Sequence, residues 1–388
     1  MNFDLSQEQK MLVDSIQKFL KNDYSFETRC KLANSSLGFS EENWKLFAEL
    51  GWLGVALGSD YGGFGGSTED IMLMHEALGR ALVTEPILPT ALLCGRLIEL
   101  LGTEAQKKSL LPSLIQGELQ LALAYNEAIA RNNPAVVGCV AQREGDNYVI
   151  SGKKIGVLNG HAASQLLVTA RTAGDVRASA GISVFLVDAY AAGVERKPYQ
   201  TVDGLRAAEI EFNGVEVTAA QRLGAEGDAF VALETVLDEA CLALCAEAVG
   251  AMEVLYKTTI EYCKTRKQFG VPIGKFQALQ FRMVDMFMLH EQAKSMIYQA
   301  ALRAKDISTK EGRAKAREAI SACKVYIGKA GRRIGQEAIQ LHGGMGMTDE
   351  LNVGHYFKRL TAIDALFGNV DYHLHRYDEC VTASREIA

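Results

Sequence analysis

The sequence has no Cys-x-x-Cys pair, although eight cysteines are scattered over its 388 residues. This spacing argues against a disulfide framework and fits a reduced, cytoplasmic compartment. Cys241 and Cys245 lie one helical turn apart, but no histidine near them completes a metal site, so packing in a core is the better interpretation. No signal peptide is expected at Met1, and no apolar run approaches the roughly 18–20 residues of a membrane span. We therefore expect a soluble cytoplasmic protein.

The sequence also has no strong excess of positive or negative residues. The 41 basic and 47 acidic residues give a formal net charge of −6, and 48% of the residues are hydrophobic. Such a composition favours neither disorder nor nucleic-acid binding. A chain of this length can form two or three domains with a substantial core.

Proline is scarce, and the change of hydrophobic pattern along the chain divides it into three parts. There are six prolines, and Pro272 is the only one after Gly227. Apolar residues recur at helical spacing near both ends of the chain, whereas the middle has short runs rich in Val, Ile and Phe separated by turns. We predict an α+β protein with an N-terminal α-helical domain over residues 1–118, a central antiparallel β-barrel-like domain over residues 119–225, and a C-terminal four-helix bundle over residues 226–388.

Local signals predict individual elements. Ser6 is a capping residue for the first helix, and Gly145-Asp146-Asn147 is a predicted hairpin turn. The predicted apolar stripe of the first helix is Met11, Leu12, Ile16, Phe19 and Leu20. Further helices are predicted at residues 41–50, 68–82, 89–101, 103–116 and 316–341, and strands at residues 148–152, 166–170, 182–187 and 208–212.

Two motifs in the C-terminal third carry a resemblance to a known family. They are Arg266-Lys267-Gln268-Phe269-Gly270 and Gln340-Leu341-His342-Gly343-Gly344-Met345-Gly346. With Leu50-Gly51-Trp52-Leu53-Gly54 and Tyr61-Gly62-Gly63 upstream, their order resembles the acyl-CoA dehydrogenase family of flavoenzymes over essentially the whole chain. The resemblance implies FAD-dependent α,β-dehydrogenation of an acyl-CoA thioester, with an electron-transferring flavoprotein as the electron acceptor. A carboxylate would take the α-proton while the β-hydrogen leaves as hydride to the flavin.

The catalytic glutamate that the resemblance leads us to expect is absent. Its place falls on Phe367 or Gly368, and no residue from Ala365 to Val370 is acidic. Some family members carry the base instead on the first helix of the C-terminal domain, at a position that falls on Ala240. Glu247 lies two turns further on roughly the same helix face as Ala240 and is the best substitute. Weaker candidates are Glu239, Asp364 and Asp371; His373 and His375 do not suggest a metal site.

Residues that would hold the cofactor of a neighbouring subunit are present. Arg266 can pair with a pyrophosphate, Phe269 offers an aromatic face, and the glycine pair offers backbone amides. In the family, this set reaches across a dimer interface to a flavin bound mainly by the other subunit. The predicted FAD-binding residues are Arg266, Gln268, Phe269, Gln277, Gln340, Gly343 and Gly344.

Residues that would hold the flavin ring on this chain itself are largely replaced. The family's Thr-Glu-Pro-x-x-Gly-Ser-Asp loop matches residues 126–133, where only Glu127 is retained. The family's Trp-x-Thr-Asn-Gly strand matches residues 156–160, where Gly156 replaces the aromatic ring and Leu158 the hydroxyl. A buried aromatic surface contributes roughly 2–3 kcal/mol and a hydrogen bond about 1 kcal/mol. Losing both predicts much weaker binding of the flavin ring.

Three functions fit this pattern. The favoured one is a subunit of a heteromeric acyl-CoA dehydrogenase whose homologous partner carries the glutamate; the chains it resembles act on CoA thioesters of bulky sterol or bile-acid side chains. The second is a homo-oligomeric dehydrogenase with a displaced base such as Glu247. The third is a non-catalytic scaffold or binding protein with the same fold.

Overall fold

The chain forms two compact units. The structure is a computed structural model that describes residues 4–387, with side chains described up to residue 382. The helical unit comprises the chain up to Lys31, residues 68–83 and the chain from Cys241 onward, and the sheet unit comprises residues 32–67 and 84–240. Residues 1–3 and 388 of the predicted terminal domains lie outside the described residues. The predicted domain boundaries near residues 118 and 225 stay predictions.

The N-terminal third is helical, as predicted. Ser6 caps the first helix, because its hydroxyl accepts from the Gln9 amide while the Gln9 side chain accepts from the Ser6 amide. Met11 of the predicted stripe is 65% exposed, because it lies about 100° around the helix from Leu12. The helices are α1 (Gln7–Asp23), α2 (Phe26–Asn34), α3 (Glu41–Glu49), α4 (Thr68–Gly79), α5 (Arg96–Leu101) and α6 (Glu104–Ile115), with a π-helical segment at Ile87–Gly95.

The middle of the chain forms a mostly antiparallel sheet, which confirms the predicted class. Among the described residues, eight strands pair in the order β6-β7-β3-β2-β4-β5-β8, with β1 beside β4. The pairings of β1 and β2 with β4 are parallel and were not predicted, because residue patterns do not reveal the direction of a neighbouring strand. The strands are β1 (Leu121–Ala124), β2 (Val140–Glu144), β3 (Asn147–Leu158), β4 (Gln165–Arg171), β5 (Ile182–Asp188), β6 (Val194–Gln200), β7 (Arg206–Thr218) and β8 (Arg222–Leu223).

The sheet buries one continuous apolar core. Tyr148 of β3 and Phe185 of β5 are almost fully buried, and their ring centroids lie 5.0 Å apart. The predicted hairpin turn is confirmed, because Glu144 pairs with Asn147 across two turn residues and Gly145 has a φ of 63°.

The C-terminal part forms the predicted helical bundle. α9 packs against α8, α10 and α11. A Cβ atom on Gly335 of α9 would lie 2.2 Å from the Phe357 ring of α10, so this glycine permits close packing of the two helices. The helices are α7 (Phe230–Thr265), α8 (Gln277–Arg303), α9 (Lys310–His342), α10 (Asn352–Ala365) and α11 (Val370–Ile387). Over residues 4–387, no helix has the length and apolar character needed to cross a membrane.

Candidate functional site

A strained hairpin displays an aromatic ring directly after α7. Strand β9 (Lys267–Gln268) pairs with β10 (Val271–Pro272), so Phe269 and Gly270 are the two turn residues. Their φ values of 52° and 78° are both in the left-handed region, as in a type I′ turn. A bulky side chain in this conformation costs roughly 1–2 kcal/mol. Phe269 nevertheless occupies it and is 88% exposed. The backbone is therefore strained where it presents an aromatic face.

A glycine turn ends α9 and leaves open space beside its backbone. Gly343 has a φ of 61° and a ψ of −141°, a combination that requires glycine. A Cβ atom on either Gly343 or Gly344 would meet no other atom within 4 Å. Crowding within the chain therefore does not explain Gly344. Approach of an external group to the backbone is the better explanation.

Two contacts bring the ends of three helices together within the helical unit. The rings of Tyr262 on α7 and His342 on α9 stack with centroids 4.3 Å apart. Near the start of α8, Arg282 forms an ion pair with Glu337 of α9 at 2.8 Å. The hairpin, the start of α8 and the glycine turn consequently lie at one end of the unit. All the predicted FAD-binding residues lie on these segments and are exposed: Arg266, Gln268, Phe269, Gln277, Gln340, Gly343 and Gly344.

In the sheet unit, the one residue retained in the family's flavin-ring loop serves the fold. Glu127 is 6% exposed and its Oε1 lies 2.7 Å from Nζ of the fully buried Lys154. Its carboxylate also accepts from the amides of Gly138 at 2.8 Å and Cys139 at 3.0 Å. Removing one partner of such a buried pair costs about 3–5 kcal/mol. This structural role accounts for Glu127 without a flavin.

The rest of the ring-holding region is reshaped. Arg131 and Asn132 have φ values of 45° and 71°, and the Asn133 amide donates to the Ala130 carbonyl at 2.9 Å, so these residues form a tight turn. Gly156 has a φ of 62° and lies where the pairing of β3 with β7 shifts register. A tryptophan at position 156 would have to adopt this strained left-handed backbone. Leu158 in addition lacks the hydroxyl that the family strand offers to the flavin ring. The sheet unit thus fits a flavin ring poorly, whereas the exposed end of the helical unit offers groups that match an FAD pyrophosphate and adenine.

The loop between α10 and α11 contains no acid; of the two acids that flank it, Asp364 is paired with an arginine and Asp371 is exposed in the first turn of α11. Asp364 is 8% exposed and receives a hydrogen bond from Arg332 at 3.3 Å. His373 is buried and lies 2.9 Å from the Phe367 carbonyl, whereas His375 is exposed. Within the described part of the chain, no group of three or more His, Cys, Asp or Glu side chains could hold a metal ion.

The two glutamates considered as displaced bases are both held by arginines. Glu247 is 8% exposed, and its two carboxylate oxygens accept from Arg359 at 2.6 and 2.8 Å. Within the sheet unit, Glu239 is 3% exposed and accepts from Arg96 at 2.9 and 3.1 Å. These two-pronged pairs are strong and engage both oxygens of each carboxylate. Sequence reasoning missed both arginines, which lie more than 100 positions from their partners.

The fold and the exposed end of the helical unit define a flavin-dependent oxidoreductase. Family models for acyl-CoA dehydrogenases match the N-terminal domain at residues 6–118, the middle domain at residues 122–215 and the C-terminal domain at residues 229–379. The chain belongs to the acyl-CoA dehydrogenase family, which confirms the resemblance. FAD is the cofactor of this family of dehydrogenases.

Relatives and solved structures agree with this assignment. The short-chain specific acyl-CoA dehydrogenase of Clostridium acetobutylicum is 30% identical over 359 residues, which cover 91% of this chain and 92% of that protein. A variant of a steroid ACAD, Tcur3481-Tcur3483, is 27% identical with a TM-score of 0.86 and covers 98% of this chain and 99% of its own. The ChsE4-ChsE5 complex from Mycobacterium tuberculosis is 25% identical with a TM-score of 0.87 and the same coverage.

A buried histidine beside the Glu247–Arg359 pair makes stability depend on pH. His75 on α4 is 3% exposed, and burial lowers the pKa of its imidazole from 6.5 to about 4; Arg359 adds to this shift and Glu247 opposes it. Between these two pKa values the unfolded chain binds a proton that the folded chain does not bind. The contribution of His75 is thus complete above the unfolded pKa and is lost as the pH falls toward the folded pKa.

We predict that lowering the pH from 7 to 5 reduces the free energy of unfolding by about 2 kcal/mol through His75. Thermal unfolding at both pH values measures this effect. The His75→Gln variant lacks the titrating group, so its melting temperature should fall less between pH 7 and pH 5. Equal pH dependence in both proteins would contradict the prediction.

Proposed function

We propose that this chain is the non-catalytic subunit of a heteromeric acyl-CoA dehydrogenase. It supplies Arg266, Phe269 and the glycine turn to a flavin site that it shares with a homologous, glutamate-bearing partner. In this assembly, α,β-dehydrogenation of the acyl-CoA thioester takes place beside the partner's base.

One observation carries the proposal. The predicted FAD-binding residues are exposed at one end of the helical unit, while the usual loop holds no acid and Glu247, Glu239 and Asp364 are each paired with an arginine; Asp371 is exposed on α11. The residues directed toward a neighbour are retained, and those needed for chemistry on this chain are replaced. Random replacement of residues would not be expected to spare the first group and remove the second.

Each retained residue has a role that follows from its chemistry. FAD, when bound, accepts the substrate's β-hydrogen as hydride. The Arg266 guanidinium can bind the pyrophosphate by charge-assisted hydrogen bonds, and the displayed ring of Phe269 can lie against a planar group. Gly343 and Gly344 lack side chains that would keep a phosphate from the backbone. Gln268, Gln277 and Gln340 offer amide groups to the polar edges of the cofactor.

The partner and substrate follow from the same similarity. ChsE4-ChsE5 is a complex of two named chains, and Tcur3481-Tcur3483 is described as a steroid ACAD. We therefore propose a homologous acyl-CoA dehydrogenase chain as partner, in a heterotetramer, and a CoA thioester with a bulky sterol or bile-acid side chain as substrate. An electron-transferring flavoprotein is the proposed acceptor. The cysteines are free thiols, which supports the predicted cytoplasmic location.

A homo-oligomer with Glu247 as the base is less well supported. A base must leave a lone pair free toward the substrate proton. Both oxygens of Glu247 instead accept from the buried Arg359 guanidinium. Releasing Glu247 would leave an arginine without this partner in the interior, at a cost of about 3–5 kcal/mol. The scaffold alternative does not explain why the FAD-binding residues are retained.

The absorbance spectrum of the purified chain, alone and co-expressed with a homologue encoded beside it, tests the proposal. We expect little flavin on the lone chain and a stable flavin complement on the co-expressed pair. Flavin retained by the lone chain would favour the homo-oligomer. A lack of flavin in both preparations would favour the scaffold.

We predict that Arg266→Ala weakens flavin retention by the assembled enzyme and leaves the fold intact. A charge-assisted hydrogen bond to the pyrophosphate contributes roughly 1.5–3 kcal/mol, which corresponds to about a 10- to 150-fold weaker affinity. Flavin content after extensive dialysis measures the loss. Arg303→Ala is the matched control, because Arg303 is exposed at the opposite end of α8. Unchanged flavin content in Arg266→Ala, or equal losses in both variants, would contradict the prediction.

We predict that neither Glu247→Gln nor Glu239→Gln abolishes turnover by the assembled enzyme, although each weakens a buried ion pair. Replacing the partner's glutamate should reduce turnover by about 10²–10⁴-fold, because that residue removes the proton. Dehydrogenation assayed with an artificial electron acceptor measures these effects. A loss of a hundredfold or more in Glu247→Gln, with flavin and oligomer unchanged, would place the base on this chain.

A further inference from the structure

The loop between α10 and α11 is wrapped around a buried lysine. Lys324 of α9 is fully buried. Its Nζ donates to the carbonyl oxygens of Asp364 at 3.1 Å, Leu366 at 2.8 Å and Gly368 at 2.7 Å. Three acceptors require three N–H groups, so the side chain is present as an ammonium ion. One buried cation therefore binds three backbone carbonyls within a five-residue stretch that covers the last turn of α10 and this loop.

A side chain of a second helix binds the carbonyl of Phe367, which lies between the two loop carbonyls that Lys324 binds. Nε2 of His373, on α11, lies 2.9 Å from the Phe367 carbonyl oxygen and donates to it. Asn369 Oδ1 accepts from the Tyr372 amide at 3.0 Å, which caps the start of α11. The carbonyls of residues 366, 367 and 368 are thus all bound by side chains of α9 and α11. The path of the loop is determined from both sides.

The path imposes left-handed backbone on the residues that stand at the family's base position. Phe367 has a φ of 55° and Gly368 a φ of 102°. A bulky residue persists in this region only where the surroundings over-determine the backbone. A Cβ atom on Gly368 would lie 2.2 Å from the Tyr372 ring and 3.0 Å from His373 Nε2. Only position 367 of this pair can carry a side chain, and Phe367 is half-exposed.

We propose that Lys324 is a positioning residue that holds this loop in a frame built to present the side chain of residue 367. In this chain, a phenylalanine occupies position 367 of this frame. Residue 367 is accordingly the place of the missing acid, and residue 368 is a hinge that must stay glycine.

A double-mutant cycle on the full-length protein tests the coupling. Lys324→Met removes the charge and should lower the melting temperature by on the order of 5 °C or more, because it leaves buried carbonyls without a donor. Phe367→Gly relieves the left-handed strain and lets those carbonyls turn toward water, so Lys324→Met should cost less than half as much in that background. Leu366→Gly is the matched control: Leu366 has a φ of −72°, and its replacement should not rescue. Additive effects, or equal rescue by both glycines, would overturn the proposal.

A second set of variants keeps the proposal testable if Lys324→Met does not fold. Phe367→Glu should leave the melting temperature within about 2 °C of the wild type, because residue 367 is the presented position. Gly368→Ala and Gly368→Glu should both lower it by several times that shift, because of the close approach to Tyr372 and the positive φ. Equal tolerance at the two positions, or greater damage at residue 367, would overturn the proposal. Flavin content of the co-expressed pair tests the heteromer separately.

Discussion

The stacking of Tyr262 on His342 is the contact on which the exposed end of the helical unit depends. It joins the last turn of α7 to the last turn of α9, and burial lowers the pKa of His342, which favours the neutral ring in the stack. Arg266 directly follows the end of α7, and Gly343 directly follows the end of α9. Their proximity is a consequence of helix packing and does not rely on any direct contact between the loops. A rigid scaffold thus positions loop residues for a ligand that the loops themselves do not need for folding.

Backbone strain is distributed in a way that supports this division of roles. Among the described residues, the non-glycine residues with positive φ are Leu82, Arg131, Asn132, Asn159, Phe269 and Phe367. Five of these six lie in four of the five segments that the resemblance to acyl-CoA dehydrogenases marks as cofactor or base segments. Strained residues are kept where the surroundings impose a particular geometry. Left-handed backbone in non-glycine residues is thus concentrated in these segments.

The sequence allowed the helices and most strands to be predicted and the family to be recognised, because these depend on local periodicity, capping and spaced motifs. The sequence did not allow the partners of buried charges to be predicted. In the sequence, nothing distinguishes Lys324 from other helix residues, yet its Nζ donates to a backbone carbonyl 40 positions away. The pairing of Glu247 with Arg359 spans 112 positions. Glu127 reads as a retained flavin contact, and only its pairing with Lys154 reveals its structural role. Such pairs depend on how helices and strands meet, which local patterns do not encode.

The pairing of the buried carboxylates bears on whether they can act as a general base. Glu127, Glu239 and Glu247 each bind a lysine or an arginine within their own unit. Taking a carboxylate out of water is costly, so each persists only with its cationic partner. A general base needs a different arrangement, with an oxygen directed at the substrate and no cation bound to both oxygens. These three acids therefore stabilise the fold. In the proposed heteromer, the carboxylate that removes the α-proton comes from the partner chain.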